Sequence, residues 1–192
     1  DEDASSILFA AGVGGIVGAK VYYAILYGDW HLLFDRSGLV WYGGFLLATA
    51  AVVWVIRRRR LPFWPLLDAA TTGLAVGCAV GRIGRLLVGD DYGRPSDLPW
   101  AVAFPNGLPP TTAGYLRSEF GVAIPSAIAD DQLLRVHPTQ LYETALALVI
   151  AWIGWRLLRG PWGTQRGRTA IAVFAGLAIE RTFEDGLTRY EI

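Results

Sequence analysis

Five long apolar runs constrain the fold of this 192-residue chain more than any other feature of its sequence. They lie at residues 7–27, 39–56, 64–88, 139–158 and 169–183. A helix needs about 20 mostly apolar residues to cross the hydrocarbon core of a bilayer, and these runs are close to that length. With 53% hydrophobic residues, the chain is also more apolar than a typical soluble domain. We therefore predict an all-α fold, a polytopic transmembrane helical bundle of about five spans.

Arginine clusters predict how this bundle is oriented. Residues 57–60 read RRRR directly after the second run, and residues 156–168 read RLLRGPWGTQRGR after the fourth. Because cytoplasmic loops are enriched in Lys and Arg, both clusters should face the cytoplasm. Residues 89–136 then form a long external loop, in which we expect a short strand at 99–105 and a helix within 111–121. We expect residues 1–192 to form a single integral membrane domain.

Glycines at a spacing of four predict where helices pack closely. They are Gly14 and Gly18 in the first run and Gly73, Gly77 and Gly81 in the third. Small residues at this spacing let two helix backbones approach each other in lipid.

Charge and cysteine counts exclude several classes of function. The 17 basic and 17 acidic residues balance, so net charge gives no reason to expect nucleic acid as a partner. The single cysteine, Cys78, excludes an intrachain disulfide and a cysteine-based metal site, and we expect no metal and no cofactor. Because the sequence has no methionine, even at position 1, we expect this chain to be a fragment, a processed form or the ordered part of a longer protein.

The stretch VGRIGRLLVGDDYGRP, residues 80–95, ends an apolar run in charged residues and glycines. A charge at the centre of a span costs roughly 2.5–3.5 kcal/mol, so such residues tend to be paired and functional. One interpretation is snorkelling arginines with capping ion pairs. The other is a polar cavity that binds an anionic headgroup, where glycine lets backbone N–H groups approach a phosphate. The residues concerned are Arg82, Arg85, Gly89, Asp90, Asp91, Gly93 and Arg94.

Two further polar clusters would reach the same side of the predicted membrane. VHPTQLYE, residues 136–143, places a histidine, an amide and a carboxylate at the start of the fourth run, although an ordinary buried N-cap explains Thr139 and Gln140 individually. IERTFEDGLTR, residues 179–189, ends the last run, and its Arg181 and Asp185 are spaced to pair along a helix. We expect all three clusters to converge on one site at the outer membrane interface.

The blocks GRIGRLLVGDDYGRP, PWAVAFP and HPTQLYE together resemble motifs of the bacterial prolipoprotein diacylglyceryl transferase family. GAKVYYAILY (18–27) and SGLVWYGGFLL (37–47) match its earlier helices. Members of the family move the diacylglyceryl group of phosphatidylglycerol onto the thiol of a lipobox cysteine and release glycerol phosphate. The resemblance implies this activity at the outer leaflet of the bacterial cytoplasmic (inner) membrane. It implies phosphatidylglycerol and a prolipoprotein lipobox peptide as partners.

The resemblance also implies roles for individual residues. Arg82 corresponds to the essential arginine of a GRxGN signature and Arg181 to the arginine of a late R-x-x-x-E motif, and both are expected to hold the phosphate. His137 or Glu143 would take the thiol proton, and the sequence does not choose between them. The expected substrate-binding residues are Arg85, Gly89, Asp90, Gly93, Arg94, Gln140, Tyr142, Tyr42 and Asp185.

Departures from the family pattern leave an alternative open. Arg85 stands where the signature has Asn, Tyr42 where the family has a histidine before paired glycines, and Asp185 where the late motif has Glu. The family also has a helix before the first one seen here and another after the late arginine motif. The alternative is a catalytically inactive, transferase-like membrane subunit that binds lipid or packs against partner subunits in a larger complex.

Overall fold

The computed structural model describes residues 2–35, 38–160 and 166–188, with side chains up to Thr182 in the last helix. These residues form α-helices and contain no β-strand. The helices are α1 (Glu2–Tyr27), α2 (Trp41–Arg58), α3 (Phe63–Val88), α4 (Ala113–Ser118), α5 (Thr139–Arg159) and α6 (Arg168–Thr188). A short 3-10 turn, Trp30–Leu33, follows α1. The prediction of an all-α fold is confirmed.

Each of the five apolar runs lies in a helix. Among the described residues, α1, α3 and α5 are long and apolar enough to cross a membrane, judged by length and composition. The other two runs form α2, of 18 residues, and α6, of 21 residues. The protein is thus a helical membrane protein with three candidate spans, and the count of five spans stays a prediction.

The chain divides into two compact units, residues 1–63 and 64–192. In the first unit, α1 and α2 are in backbone contact at glycines. A Cβ atom on Gly14 would lie 3.0 Å from the Cα of Ala48, and one on Gly18 would overlap the carbonyl oxygen of Gly43. The close packing predicted at Gly14 and Gly18 is therefore present. It is not found at the glycines of α3, since added Cβ atoms there would meet no described atom within 4 Å.

In the second unit, α3, α5 and α6 share a buried core of Ala75, Ala151 and Val173. Gly154 of α5 sits at their crossing, because a Cβ atom there would lie 2.7 Å from Thr72 Oγ1 and 2.8 Å from a methyl group of Val173. The small residues permit an approach at which dispersion and close packing hold helices together in lipid.

A carboxylate of α3 caps the start of α6. Asp68 is 2% exposed, and its two oxygens accept hydrogen bonds from the backbone N–H groups of Ala170 at 2.7 Å and Gly167 at 3.1 Å. The first N–H groups of a helix have no partner within the helix, so this side chain satisfies donors that would otherwise be buried without one. Asp68 thereby fixes where α6 begins against α3.

The connecting segment between α3 and α5, residues 89–138, has its own small core built on Tyr92, Leu116 and Val136. The helix expected within 111–121 is present as α4, and the Thr112 hydroxyl accepts from Tyr115 N at 3.4 Å at its start. The strand expected at 99–105 is wrong. Val102 instead forms an isolated antiparallel bridge with Val136, with N···O distances of 3.0 and 2.8 Å. Val136 also bridges Pro95, but both bridges are isolated and form no β-strand among the described residues.

Candidate functional site

The end of α3 turns sharply through two residues with positive φ. Gly89 has φ +73° and closes the helix with its N–H on the carbonyl of Arg85 at 2.8 Å, and Asp91 has φ +53°. A Cβ atom on Gly89 would lie 2.8 Å from the Cα of Gly107, so two backbones touch at this turn. Glycine suits both demands, since it tolerates positive φ and leaves room for the neighbouring chain.

A backbone ladder joins the glycine-rich turn to the start of α5. Gly93 N donates to His137 O at 2.9 Å, and His137 N donates to Arg94 O at 3.0 Å. A Cβ atom on Gly93 would lie 2.7 Å from Thr139 Cγ2 and 2.9 Å from His137 Cβ. The structure therefore brings two of the three predicted polar clusters together, and it does so at a position that only glycine fits without displacement.

Side chains at the start of α5 also form hydrogen bonds with the glycine-rich turn that follows α3. Thr139 Oγ1 donates to Asp91 O at 2.7 Å, and Gln140 Nε2 donates to Asp90 O at 2.5 Å. Gln140 is fully buried. Its Oε1 and the Oδ1 of Asp90 are buried polar atoms with no hydrogen-bond partner among the described residues. Thr139 and Gln140 thus anchor the turn as hydrogen-bond donors, and neither caps α5, because its N-cap residue is Pro138, which makes no side-chain cap hydrogen bond.

Arg82 of α3 is held by two carboxylates. Its Nε lies 2.7 Å from Oε2 of Glu143 in α5, and its Nη1 lies 3.3 Å from Oδ2 of Asp91. The Arg82 and Glu143 side chains are 14% and 4% exposed. Arg85 forms an ion pair with the same Oδ2 of Asp91 but is 47% exposed. Each of these carboxylates is contacted by a given guanidinium through one nitrogen, and the several N–H donors of arginine suit contacts with carboxylate or phosphate oxygens.

His137 belongs to a three-member polar chain. Trp100 Nε1 donates to the Tyr142 hydroxyl at 2.6 Å, and that hydroxyl lies 3.3 Å from His137 Nδ1. The two rings of His137 and Tyr142 meet edge-on, at a centroid distance of 6.1 Å. Sequence reasoning missed Trp100. Its signal was the PW pair at residues 99–100, which follows the arginine- and glycine-rich block after three intervening residues.

The remaining predicted site residues differ in what the structure describes. Arg94 is exposed beside the ladder, and Arg181 is exposed near the end of α6. The side chain of Asp185 lies outside the described residues, and so does its expected pairing with Arg181. Tyr42 belongs to the first unit, where it is 65% exposed and packs edge-on against Trp41 at 5.3 Å. Within the described residues, no group of His, Cys, Asp and Glu is arranged to hold a metal ion.

Long apolar helices, with a mostly buried arginine–carboxylate ion pair near the end of one of them, define the class of helical membrane proteins. The profile of the prolipoprotein diacylglyceryl transferase family matches residues 1–190. The chain belongs to this family. The resemblance inferred from the motifs is thereby confirmed.

Relatives named phosphatidylglycerol–prolipoprotein diacylglyceryl transferase are similar along most of the chain. The protein of Synechococcus elongatus is 29% identical over an alignment of 188 positions that covers 91% of this chain and 58% of the relative. A protein of Pseudomonas putida is 29% identical over 92% of this chain and 61% of its own length. One of Rhizobium meliloti is 31% identical over 78% and 49%. The chain spans less than two thirds of the length of these relatives.

Proposed function

We propose that the protein transfers the diacylglyceryl group of phosphatidylglycerol to the lipobox cysteine thiol of prolipoproteins, at the outer leaflet of the bacterial inner membrane. The observation that carries the proposal is the position of Arg82. Its guanidinium is fixed by the mostly buried Glu143 where the end of α3 meets the start of α5. The names of the relatives support the same donor and acceptor.

The reaction requires an anionic leaving group to be stabilised. The thiolate sulfur attacks the diacylglyceryl carbon that carries the phosphate oxygen, a C–S bond forms, and the C–O bond breaks. Glycerol phosphate departs with the bonding electron pair and gains negative charge. Arg82 and Arg181 are the proposed donors to these oxygens, and Arg85 and Arg94 are proposed to bind the substrate as well. Donors fixed before the reaction stabilise developing charge most effectively, and Glu143 fixes Arg82 in this way.

His137 is the proposed acceptor of the thiol proton. Glu143 is a weaker candidate because it lies 2.7 Å from the Arg82 guanidinium and serves as its counter-ion. If Nδ1 of His137 donates to the Tyr142 hydroxyl, Nε2 is left as the proton acceptor. A hydroxyl oxygen can accept from Trp100 and His137 together, so the observed distances fit this tautomer.

A transfer assay tests the proposal on the purified, folded protein. Phosphatidylglycerol labelled in its acyl chains is supplied in detergent micelles, together with a lipobox peptide that carries either Cys or Ser as acceptor. We expect label on the Cys peptide alone, and loss of transfer in Arg82→Gln. Arg58→Gln, which neutralises an exposed arginine at the end of α2, serves as the control and should remain active.

The alternative, a lipid-binding subunit that has lost catalysis, is favoured by one observation. Arg85, which stands at the signature's Asn position, is engaged with Asp91 instead of offering an amide. This alternative predicts that the folded protein binds phosphatidylglycerol without transferring label to either peptide. Label on the Cys peptide would exclude it.

A further inference from the structure

Asp91 contacts both arginines at the end of α3 through one oxygen. Its Oδ2 lies 3.3 Å from Arg82 Nη1 and forms an ion pair with Arg85 Nη1. A carboxylate oxygen placed between two guanidinium groups occupies the kind of position that a phosphate oxygen would take. The two anions therefore compete for the same donors.

The two carboxylates on Arg82 differ in the way expected of a permanent and an exchangeable partner. Glu143 belongs to α5, contacts Nε of Arg82 and has a side chain that is 4% exposed. Asp91 belongs to the connecting segment, contacts Nη1 of Arg82 and has a side chain that is 40% exposed. Exposed ion pairs are individually weak because water and salt screen them. An incoming anion can therefore replace Asp91 while Glu143 continues to hold the arginine.

The backbone of Asp91 is fixed independently of its carboxylate. Its φ is +53°, a region that asparagine and aspartate tolerate better than most residues, and its carbonyl accepts from Thr139 Oγ1 at 2.7 Å. Strained backbone at a site indicates that surrounding contacts impose it. Rotation of the side chain would release the two arginines without moving the turn that joins α3 to α5.

We infer that Asp91 is an internal counter-ion that holds Arg82 and Arg85 in the absence of substrate and is displaced by a phosphate group. This inference rests on the proposed function, because it assigns the same arginines to the phosphate. Asp91 is a positioning residue, since it acts through the arginines and not on the reacting atoms. It weakens binding of substrate and of the phosphate product alike, and it neutralises the charge that Arg85 adds to the site.

Binding of two probes to detergent-purified protein tests the inference. The probes are glycerol phosphate in solution and phosphatidylglycerol in micelles, titrated against wild type, Asp91→Asn, Arg82→Gln and the control Asp97→Asn, which removes an exposed carboxylate of the same segment. We expect Asp91→Asn to lower Kd roughly two- to tenfold, as removal of one or two exposed ion pairs should, and Asp97→Asn to leave it unchanged. A gain with glycerol phosphate identifies the phosphate group itself as the displacing ligand, and a gain with phosphatidylglycerol alone identifies the intact lipid.

A structural role for Asp91 would give a different result. An unchanged or higher Kd in Asp91→Asn, with binding lost in Arg82→Gln, overturns the inference and leaves the proposed phosphate site standing. Wild-type affinity in Arg82→Gln overturns the proposed function and the inference with it. Asp91→Gly, which also suits a positive φ, is measured alongside so that the test does not depend on one variant folding. In turnover, the inference predicts a lower KM for phosphatidylglycerol in Asp91→Asn, which a merely structural carboxylate would not produce.

Discussion

The Nε of Arg82 lies 2.7 Å from Oε2 of Glu143, and this ion pair joins the C-terminal part of α3 to the N-terminal part of α5. One residue comes from the glycine-rich block after the third apolar run and the other from HPTQLYE. The pair is mostly buried, so removal of either charge would disturb the compensation of the other. It links the packing of two helices to the orientation of the guanidinium that we assign to the phosphate.

Glu143→Gln is expected to impair both stability and transfer. The substitution leaves the mostly buried Arg82 charge without its inner counter-ion, and breaking such a pair costs about 3 kcal/mol. Tm in detergent and kcat in the transfer assay should both fall. Glu119→Gln, at an exposed carboxylate of the connecting segment, is the control. A variant with wild-type Tm and kcat would contradict the role given to the pair.

Gly93→Ala should separate the glycine-rich block after α3 from the HPTQLYE motif at the start of α5. The new methyl group would lie 2.7 Å from Thr139 Cγ2 and 2.9 Å from His137 Cβ, and overpacking of this kind costs about 1–3 kcal/mol. We expect a lower Tm together with a loss of transfer. Gly77→Ala provides the comparison, since its methyl group meets no described atom within 4 Å and alanine favours a helix interior. Equal effects of the two substitutions would count against the close approach at Gly93.

Asp68→Ala is expected to loosen the start of α6. The change removes the acceptor for the N–H groups of Gly167 and Ala170, and loss of an N-cap costs about 1–2 kcal/mol. Hydrogen exchange at these two amides should speed up. Asp68→Asn, which keeps one oxygen acceptor, should have a smaller effect. Unchanged exchange in Asp68→Ala would mean that the cap does not hold the helix.

Trp100→Phe should slow transfer without preventing folding. The substitution removes the N–H group that donates to the Tyr142 hydroxyl, and with it a hydrogen bond that contributes about 1 kcal/mol. If His137 takes the thiol proton, this loss corresponds to a kcat about fivefold lower. Tyr142→Phe, which removes the contact to His137 Nδ1 as well, should be slower still. If both variants retain wild-type kcat, the proposed role of His137 is wrong.

The helices could be predicted because apolar length is a local property of the sequence. All five runs are helical, and the close contact at Gly18 follows from small residues at a regular spacing. The connecting segment could not be predicted in the same way. Val102 was expected to be part of a strand, but its partner Val136 is far along the chain and pairs with it only through an isolated bridge.

Within the candidate site, residue types were predictable but partners were not. The glycine-rich block and HPTQLYE were recognised as polar clusters, yet nothing local in either indicates that Gly93 packs on His137. Asp68 and Trp100 were missed because each acts on a residue distant in the chain, Ala170 in one case and Tyr142 in the other. Such pairings depend on the tertiary fold.

The most direct test of the central claim is kcat for transfer to the Cys peptide in Arg82→Gln relative to wild type, at saturating phosphatidylglycerol. Removal of one fixed donor to a developing negative charge lowers kcat by about 100- to 1,000-fold. The account predicts a fall of this size in a variant whose Tm shows that it is folded. A folded Arg82→Gln protein with wild-type kcat would show that Arg82 does not stabilise the departing phosphate, and would contradict the account.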